Sequence, residues 1–256
     1  MSKIRGYLAL TVICLALLLG DPVQRLLIAP WVRLFPSRRI PVLARWQHIY
    51  AWIVLRSVSV VGGARIPELP AVPGKPGTLI LMNHQSLLDI PLVVASTADA
   101  YPRIVTRKRY LRWIPLISHM VRLYQYPVVD PSANAGGQRG MLRAIRDAAR
   151  ATEVPLVVFP EGTRTRDGEI GRFKTTGLKV VLRQRPWTVH LIVADGFWQR
   201  AKFKDFLGGM RAITGSIETL GPFTWDDPDA DTEPFIEEMR ARMVERLEAM
   251  RERQPA

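Results

Sequence analysis

Two short polar stretches carry the residue types that proton transfer and anion binding need. The first is Asn83-His84-Gln85-Ser86-Leu87-Leu88-Asp89. Histidine is the side chain whose ordinary pKa lies nearest neutrality, and a neighbouring carboxylate can fix its tautomer and stabilise its charged form. So paired, His84 and Asp89 form an oriented general base. The same residues also have a plainer use. Ser86-x-x-Asp89 has capping-box spacing, with a carboxylate three residues after the hydroxyl, so His84 can equally be a loop histidine and Asp89 a helix cap. The second stretch is Phe159-Pro160-Glu161-Gly162-Thr163-Arg164. Its arginine can clamp a phosphate bidentately, and its glycine lets backbone approach a ligand closely.

The elements that must position these residues are legible around them. Thr78 to Met82 is an apolar run that reads as a buried strand, and Pro155 to Phe159 reads the same way. Each ends in one of the polar stretches. A strand end followed by a helix start is where α/β sheets present ligand-binding groups. Further strands are expected at Arg103 to Thr106, within Met120 to Val129, at Val189 to Val193 and at Ala212 to Leu220. Helices are expected at Pro91 to Ser96, Met141 to Thr152 and Thr175 to Arg185, with Ala133 to Gly140 a small-residue loop. Phe235, Ile236, Met239, Met243, Leu247 and Met250 recur at helical spacing in a charged segment, a stripe expected to pack on the domain. The alternation points to an α/β domain over residues 66–256.

Asn-His-x-x-x-x-Asp followed some seventy residues later by Phe-Pro-Glu-Gly-Thr-Arg, each after a strand, resembles the glycerolipid acyltransferase family. Its best-known members are the 1-acylglycerol-3-phosphate acyltransferases. The resemblance runs from about Thr78 to Leu220 and implies a mixed sheet with flanking helices. It implies acyl transfer from acyl-CoA or acyl-carrier protein, as cosubstrate, to a lysophospholipid hydroxyl, with no bound cofactor or metal. His84 and Asp89 then become the catalytic pair, and the amides near Ser86 to Leu88 are expected to meet the oxyanion. Glu161, Gly162, Thr163 and Arg164 become acceptor-binding residues, Arg164 holding the phosphate and Glu161 either meeting the glycerol or holding Arg164. The family's middle motif, a lysine before a Leu and an Ile-Pro, is matched by Lys108 to Pro115, which makes Lys108 a second phosphate ligand or a surface charge. Arg172-Phe173-Lys174 resembles the segment that trails the second motif, where basic residues can meet phosphates of coenzyme A or an acidic carrier protein. Two departures leave the acceptor open: Val189-His190-Leu191 stands where a proline-centred strand is usual, and Asp130-Pro131 where Asp-Arg is usual. Another lysolipid acceptor, or hydrolysis by a lipid esterase, fits the same residues. A nucleophilic Ser86 is disfavoured because the Gly-x-Ser-x-Gly elbow is absent.

Composition agrees with a membrane lipid as partner. The chain carries a net charge of +13 and is 48% hydrophobic, with a mean hydropathy of +0.04. Residues 1–65 hold nine basic residues against only Asp21, interleaved with Trp31, Trp46, Tyr50 and Trp52. Cationic, tryptophan-rich and apolar together suit a bilayer interface, and no motif supports nucleic-acid binding. This part reads as an N-terminal helical membrane anchor. Gly6 to Gly20 is uncharged over fifteen residues and reaches about 22 Å as a helix, short of the ~30 Å hydrocarbon core. A monotopic or re-entrant anchor, one short span and a cleaved signal all remain open, with the active site expected on the cytoplasmic side. Prolines 22, 30, 36 and 41 predict short or kinked helices, Val42 to Val61 a longer one, and residues 66–77, with four prolines and two glycines, a linker. The single cysteine, Cys14, excludes an intrachain disulfide.

Overall fold

The computed structural model describes residues 2–130, 132, 134–200 and 209–253. Its frame is a five-stranded sheet of β1 (Thr78–Met82), β2 (Arg103–Ile104), β5 (Leu156–Val158), β6 (Trp187–Asp195) and β7 (Ser216–Trp225), in the order β2-β5-β1-β6-β7. β1 lies at the centre, parallel to β5 and β6, and β7 closes one edge antiparallel to β6. Two shorter strands, β3 (Thr106–Arg107) and β4 (Val128–Val129), pair parallel beside it. This is the mixed α/β architecture that the alternation of patterns predicts.

β1 is buried throughout, and apolar from Leu79 onward, because both its faces are covered. Ile80 and Met82 join a cluster with α1 (Ser2–Val23), α3 (Arg39–Arg56) and α4 (Asp89–Ser96), through residues such as Ala9, Leu55 and Leu92. Leu79 and Leu81 point the other way, into a cluster with α6 (Ala135–Ala151), α7 (Thr175–Leu182) and α8 (Thr232–Glu252). The α8 stripe Ile236, Met239, Met243, Leu247 and Met250 is buried there as its spacing predicts.

Several elements differ from the sequence reading. Only Val128–Val129 of the Met120 to Val129 stretch is strand, because Met120 falls inside α5 (Ile117–Leu123). Residues expected in a loop before 141 begin α6 instead. Asn134 caps that helix, its side chain accepting from Gly137 N at 3.0 Å, which offsets the two glycines of the first turn; Ala133 lies outside the described residues. The proline-rich segment 66–77 is pinned rather than slack. Val72 is fully buried and exchanges backbone hydrogen bonds with Ser96 and Ala98 at 2.7 and 2.9 Å.

The N-terminal helices also run further than the charge-free stretch. α1 continues past Pro22 through a π-helical turn, Gln24–Ile28, into α2 (Ala29–Leu34). The wider turn is one way a helix absorbs an interior proline. Asp21 does not end it, because its carboxylate accepts from Arg25 and from Leu116 N, both at 2.9 Å. Residues 3–34 thus form the one helix among the described residues long and apolar enough to cross a membrane. Leu19, Leu26, Leu27 and Leu34 on it are exposed. This part is not a detached appendage. Gln24 is buried, donating to Leu116 O at 3.2 Å and meeting His119 Nδ1 at 2.8 Å, while Trp46 donates to its carbonyl oxygen at 3.0 Å.

Candidate active site

The parallel pairing of β1 and β5 removes the distance between the two polar stretches. Leu81 stands beside Val158 in register, so three residues further on along each strand the chain has placed His84 beside Glu161. Both backbone groups of His84 are then held, one by the second stretch and one by the residue that follows it. Its N–H donates to Glu161 Oε1 at 2.9 Å, and its carbonyl accepts from Thr165 N at 2.8 Å. The imidazole packs on the Phe159 ring, 4.6 Å between centroids.

Asp89, fully buried at the start of α4, organises the turn that precedes it. Its Oδ2 accepts from His84 Nδ1 at 2.6 Å, from Gln85 N at 2.6 Å and from Ser86 N at 2.8 Å. Ser86 Oγ donates to Asp89 Oδ1 at 3.3 Å and accepts from Leu88 N at 3.0 Å. The capping bonds and the histidine–carboxylate pair therefore coexist: one carboxylate does both. With Nδ1–H donated to Asp89, the Nε2 lone pair is the basic one. The side chain of His84 is 24% exposed and that of Asp89 not at all, so the base is open on one side and anchored on the other. Of the amides expected to meet an oxyanion, those of Ser86 and Leu88 are already committed to Asp89 Oδ2 and Ser86 Oγ. Ser86 itself is buried with its hydroxyl engaged, as a capping rather than nucleophilic serine would be.

Glu161 is buried, and its two oxygens accept from His84 N and, at 3.0 Å, from Gly171 N. Burial raises its pKa above the ordinary 4.5, the two amide hydrogen bonds and His84 opposing. This geometry makes it a brace between the two loops. Gly162 adopts φ +68°, a left-handed conformation that glycine takes without a Cβ penalty. A Cβ there would stand 2.9 Å from Lys174 Cδ. Thr163 is exposed and Arg164 half-buried on the same loop.

Lys108 lies elsewhere than at this turn. Its side chain is 69% exposed and pairs with Asp130 at 3.3 Å. The preceding residue, Arg107, reaches in instead, donating to the Gly162 carbonyl at 2.6 Å. The sequence reading passed over Arg107. Its one signal was position, at the end of a short strand immediately before the middle-motif lysine. Lys174 also belongs here, its N–H donating to Pro160 O at 2.8 Å and its stem lying over Gly162. Among the described residues no group of three or more His, Cys, Asp or Glu side chains is disposed to hold a metal.

The model of the Acyltransferase family matches residues 57–192, which span β1, both polar stretches and the first part of β6. The chain belongs to the Acyltransferase family. Among its relatives is a 1-acyl-sn-glycerol-3-phosphate acyltransferase of Limnanthes douglasii, 25% identical over 225 residues that make up 86% of this chain and 74% of the relative. A protein of the same name from Borreliella burgdorferi is 26% identical over 135 residues, 53% of this chain and 50% of that one. The crystal structure of the LPA acyltransferase PlsC from Thermotoga maritima matches with a TM-score of 0.59 over the whole of both chains at 20% identity, a likeness of fold. In the family's terms, the matched region contains every candidate residue from His84 to Lys174.

Proposed function

We propose that this protein transfers an acyl group from an acyl thioester, acyl-CoA or acyl-carrier protein, to the free hydroxyl of 1-acylglycerol 3-phosphate, giving phosphatidic acid. The observation that carries this reading is the 2.6 Å His84–Asp89 pair, held on the Glu161–Thr165 loop by both backbone groups of His84. The hydroxyl gives its proton to His84 Nε2 as its oxygen attacks the thioester carbonyl carbon. Asp89 stabilises the imidazolium through Nδ1. Collapse of the tetrahedral intermediate breaks the carbon–sulfur bond, and the departing thiolate takes the proton back from Nε2. A thioester is already activated, so no acyl-enzyme is needed. Arg164 is the acceptor's phosphate clamp, with Arg107 and Lys174 supplying further positive charge around Gly162. The relatives' names support the acceptor. The exposed leucines of residues 3–34 support residence at a membrane, and we place the site on its cytoplasmic side.

The test uses membranes containing the protein, labelled acyl-CoA or acyl-carrier protein, and a panel of lysolipids, with wild type and His84→Ala side by side. Label entering phosphatidic acid in wild type, and falling at least about a hundredfold in the variant, is the expected result. Label in another phospholipid keeps the mechanism and moves the acceptor. Free fatty acid regardless of acceptor makes the protein an esterase, and turnover that survives the loss of His84 removes it as the base.

A further inference from the structure

The buried side of the His84 loop is tied to a part of the chain that carries no motif. Gln85 is fully buried. Its carboxamide accepts from Phe197 N at 3.1 Å and donates to Asp195 Oδ1 at 3.3 Å. Asp195, at the end of β6, is buried too, and its counter-charge is Arg251 on the last turn of α8, with Nε at 3.0 Å from Oδ2. The same guanidinium donates to Gly168 O at 3.0 Å and to Glu169 Oε1 at 2.5 Å. Gly168 in turn donates to Thr165 Oγ1 at 3.1 Å, and Thr165 N is the donor to the His84 carbonyl. Arg251 therefore reaches the backbone around His84 by two routes, one through Asp195 and Gln85, the other through Gly168 and Thr165.

We infer that Arg251 is a positioning residue for His84, an inference that rests on the acyl-transfer reading for its kinetic test. Three acceptors in different directions are what a planar guanidinium satisfies and an ammonium on a single stem does not. Asp195 gives the arrangement its rigidity, since a buried carboxylate stripped of its cation is costly to keep in place. Arg251 touches no reacting atom. Its effect on turnover comes through the angle at which the loop presents the imidazole, and a misplacement of about 1 Å there costs up to a hundredfold.

The experiment compares Arg251→Gln, Arg251→Lys, Gln85→Ala and the Arg251→Gln/Gln85→Ala pair in membranes, each corrected for its folded fraction. Arg251→Gln and Gln85→Ala are each expected to lower kcat about tenfold with KM for acceptor and donor within about twofold. The double variant is expected to fall about tenfold too, since both changes cut one chain of contacts, whereas independent effects multiply to about a hundredfold. Arg251→Lys keeps a charge for Asp195 and is expected to recover the melting midpoint but not kcat. Hydrogen exchange at the Thr165 amide, which needs no turnover, is expected to quicken at least about fivefold in Arg251→Gln. Unchanged kcat in the folded fraction, multiplying effects, or unchanged Thr165 exchange would each overturn the inference. An inactive wild type whose exchange still answers to Arg251 would fail the acyl-transfer reading while leaving the clamp standing.

Discussion

Glu161 illustrates how residue type and residue role part company. In sequence it is a carboxylate inside a motif, and a carboxylate there reads as a substrate ligand or as a partner that holds Arg164. In the fold both its oxygens are turned to backbone amides, of His84 and of Gly171. Its type was legible; its direction depends on strand register, which no local pattern encodes. Glu161→Gln turns an amino group toward one of those donors, at a cost of about 1–3 kcal/mol. The pH dependence has a definite sign. Burial raises the folded-state pKa above 4.5, so below that value both states are protonated and no penalty exists. As pH rises from there through the raised value, the unfolded chain ionises first and the contribution of Glu161 to stability falls. Urea midpoints of wild type and Glu161→Gln between about pH 4 and pH 7 should therefore converge as pH rises. A gap that widens instead would mean that the two amide hydrogen bonds outweigh burial. The pairing of His84 with Asp89 was readable, because their spacing of five residues keeps the two within one turn.

Among the elements, the turns of the site depended on more than their own sequence. The Gly162 turn is closed by its own N–H to Phe159 O at 3.0 Å, by Arg107 on its carbonyl, and by Lys174 lying across it. Lys174 lies twelve residues away and Arg107 fifty-five, so neither was visible from the motif. Nor was it visible that Lys108 would turn outward to Asp130, since a short strand decides which of two adjacent cations faces in. Gly162→Ala would strain a positive-φ position by about 1–2 kcal/mol and push the Lys174 stem aside. The expected outcome is a several-fold loss in kcat/KM for a phosphate-bearing acceptor, with a smaller loss for a neutral one. Equal losses would detach this turn from phosphate recognition. The start of α6 was misread for a related reason: its small residues resemble a loop until Asn134 is counted as the cap.

For the whole molecule, composition and motif order revealed the fold class and the rim on which the site lies. They did not reveal how closely the first sixty residues are joined to the rest. A boundary near residue 65 is where the proline-rich segment begins, yet the helices before it share a buried cluster with β1 and β6. Gln24 is central to that junction, satisfying Leu116 O and Trp46 Nε1 together. Gln24→Leu takes the acceptor from the Trp46 indole N–H, while Leu116 O keeps Met120 N at 2.8 Å, and should destabilise by about 1–3 kcal/mol. The whole protein should lose that stability in one cooperative transition, followed by circular dichroism in detergent. A separate early melt of helix with an unchanged main transition would mark the boundary as an energetic one.

The clasp on His84 has a consequence for the life of the chain at the ribosome. The donor to its carbonyl is Thr165, eighty-one residues downstream, and the arginine that steadies both loops comes 166 residues after Gln85. Contacts this distant form late, after the loop-closure entropy between them has been met. The apolar helix of residues 3–34 is made well before α8 and can meet lipid before α8 exists. On the proposed function, a nascent chain would thus meet a bilayer with the histidine not yet aligned, and would become able to transfer acyl groups only once α8 is in place.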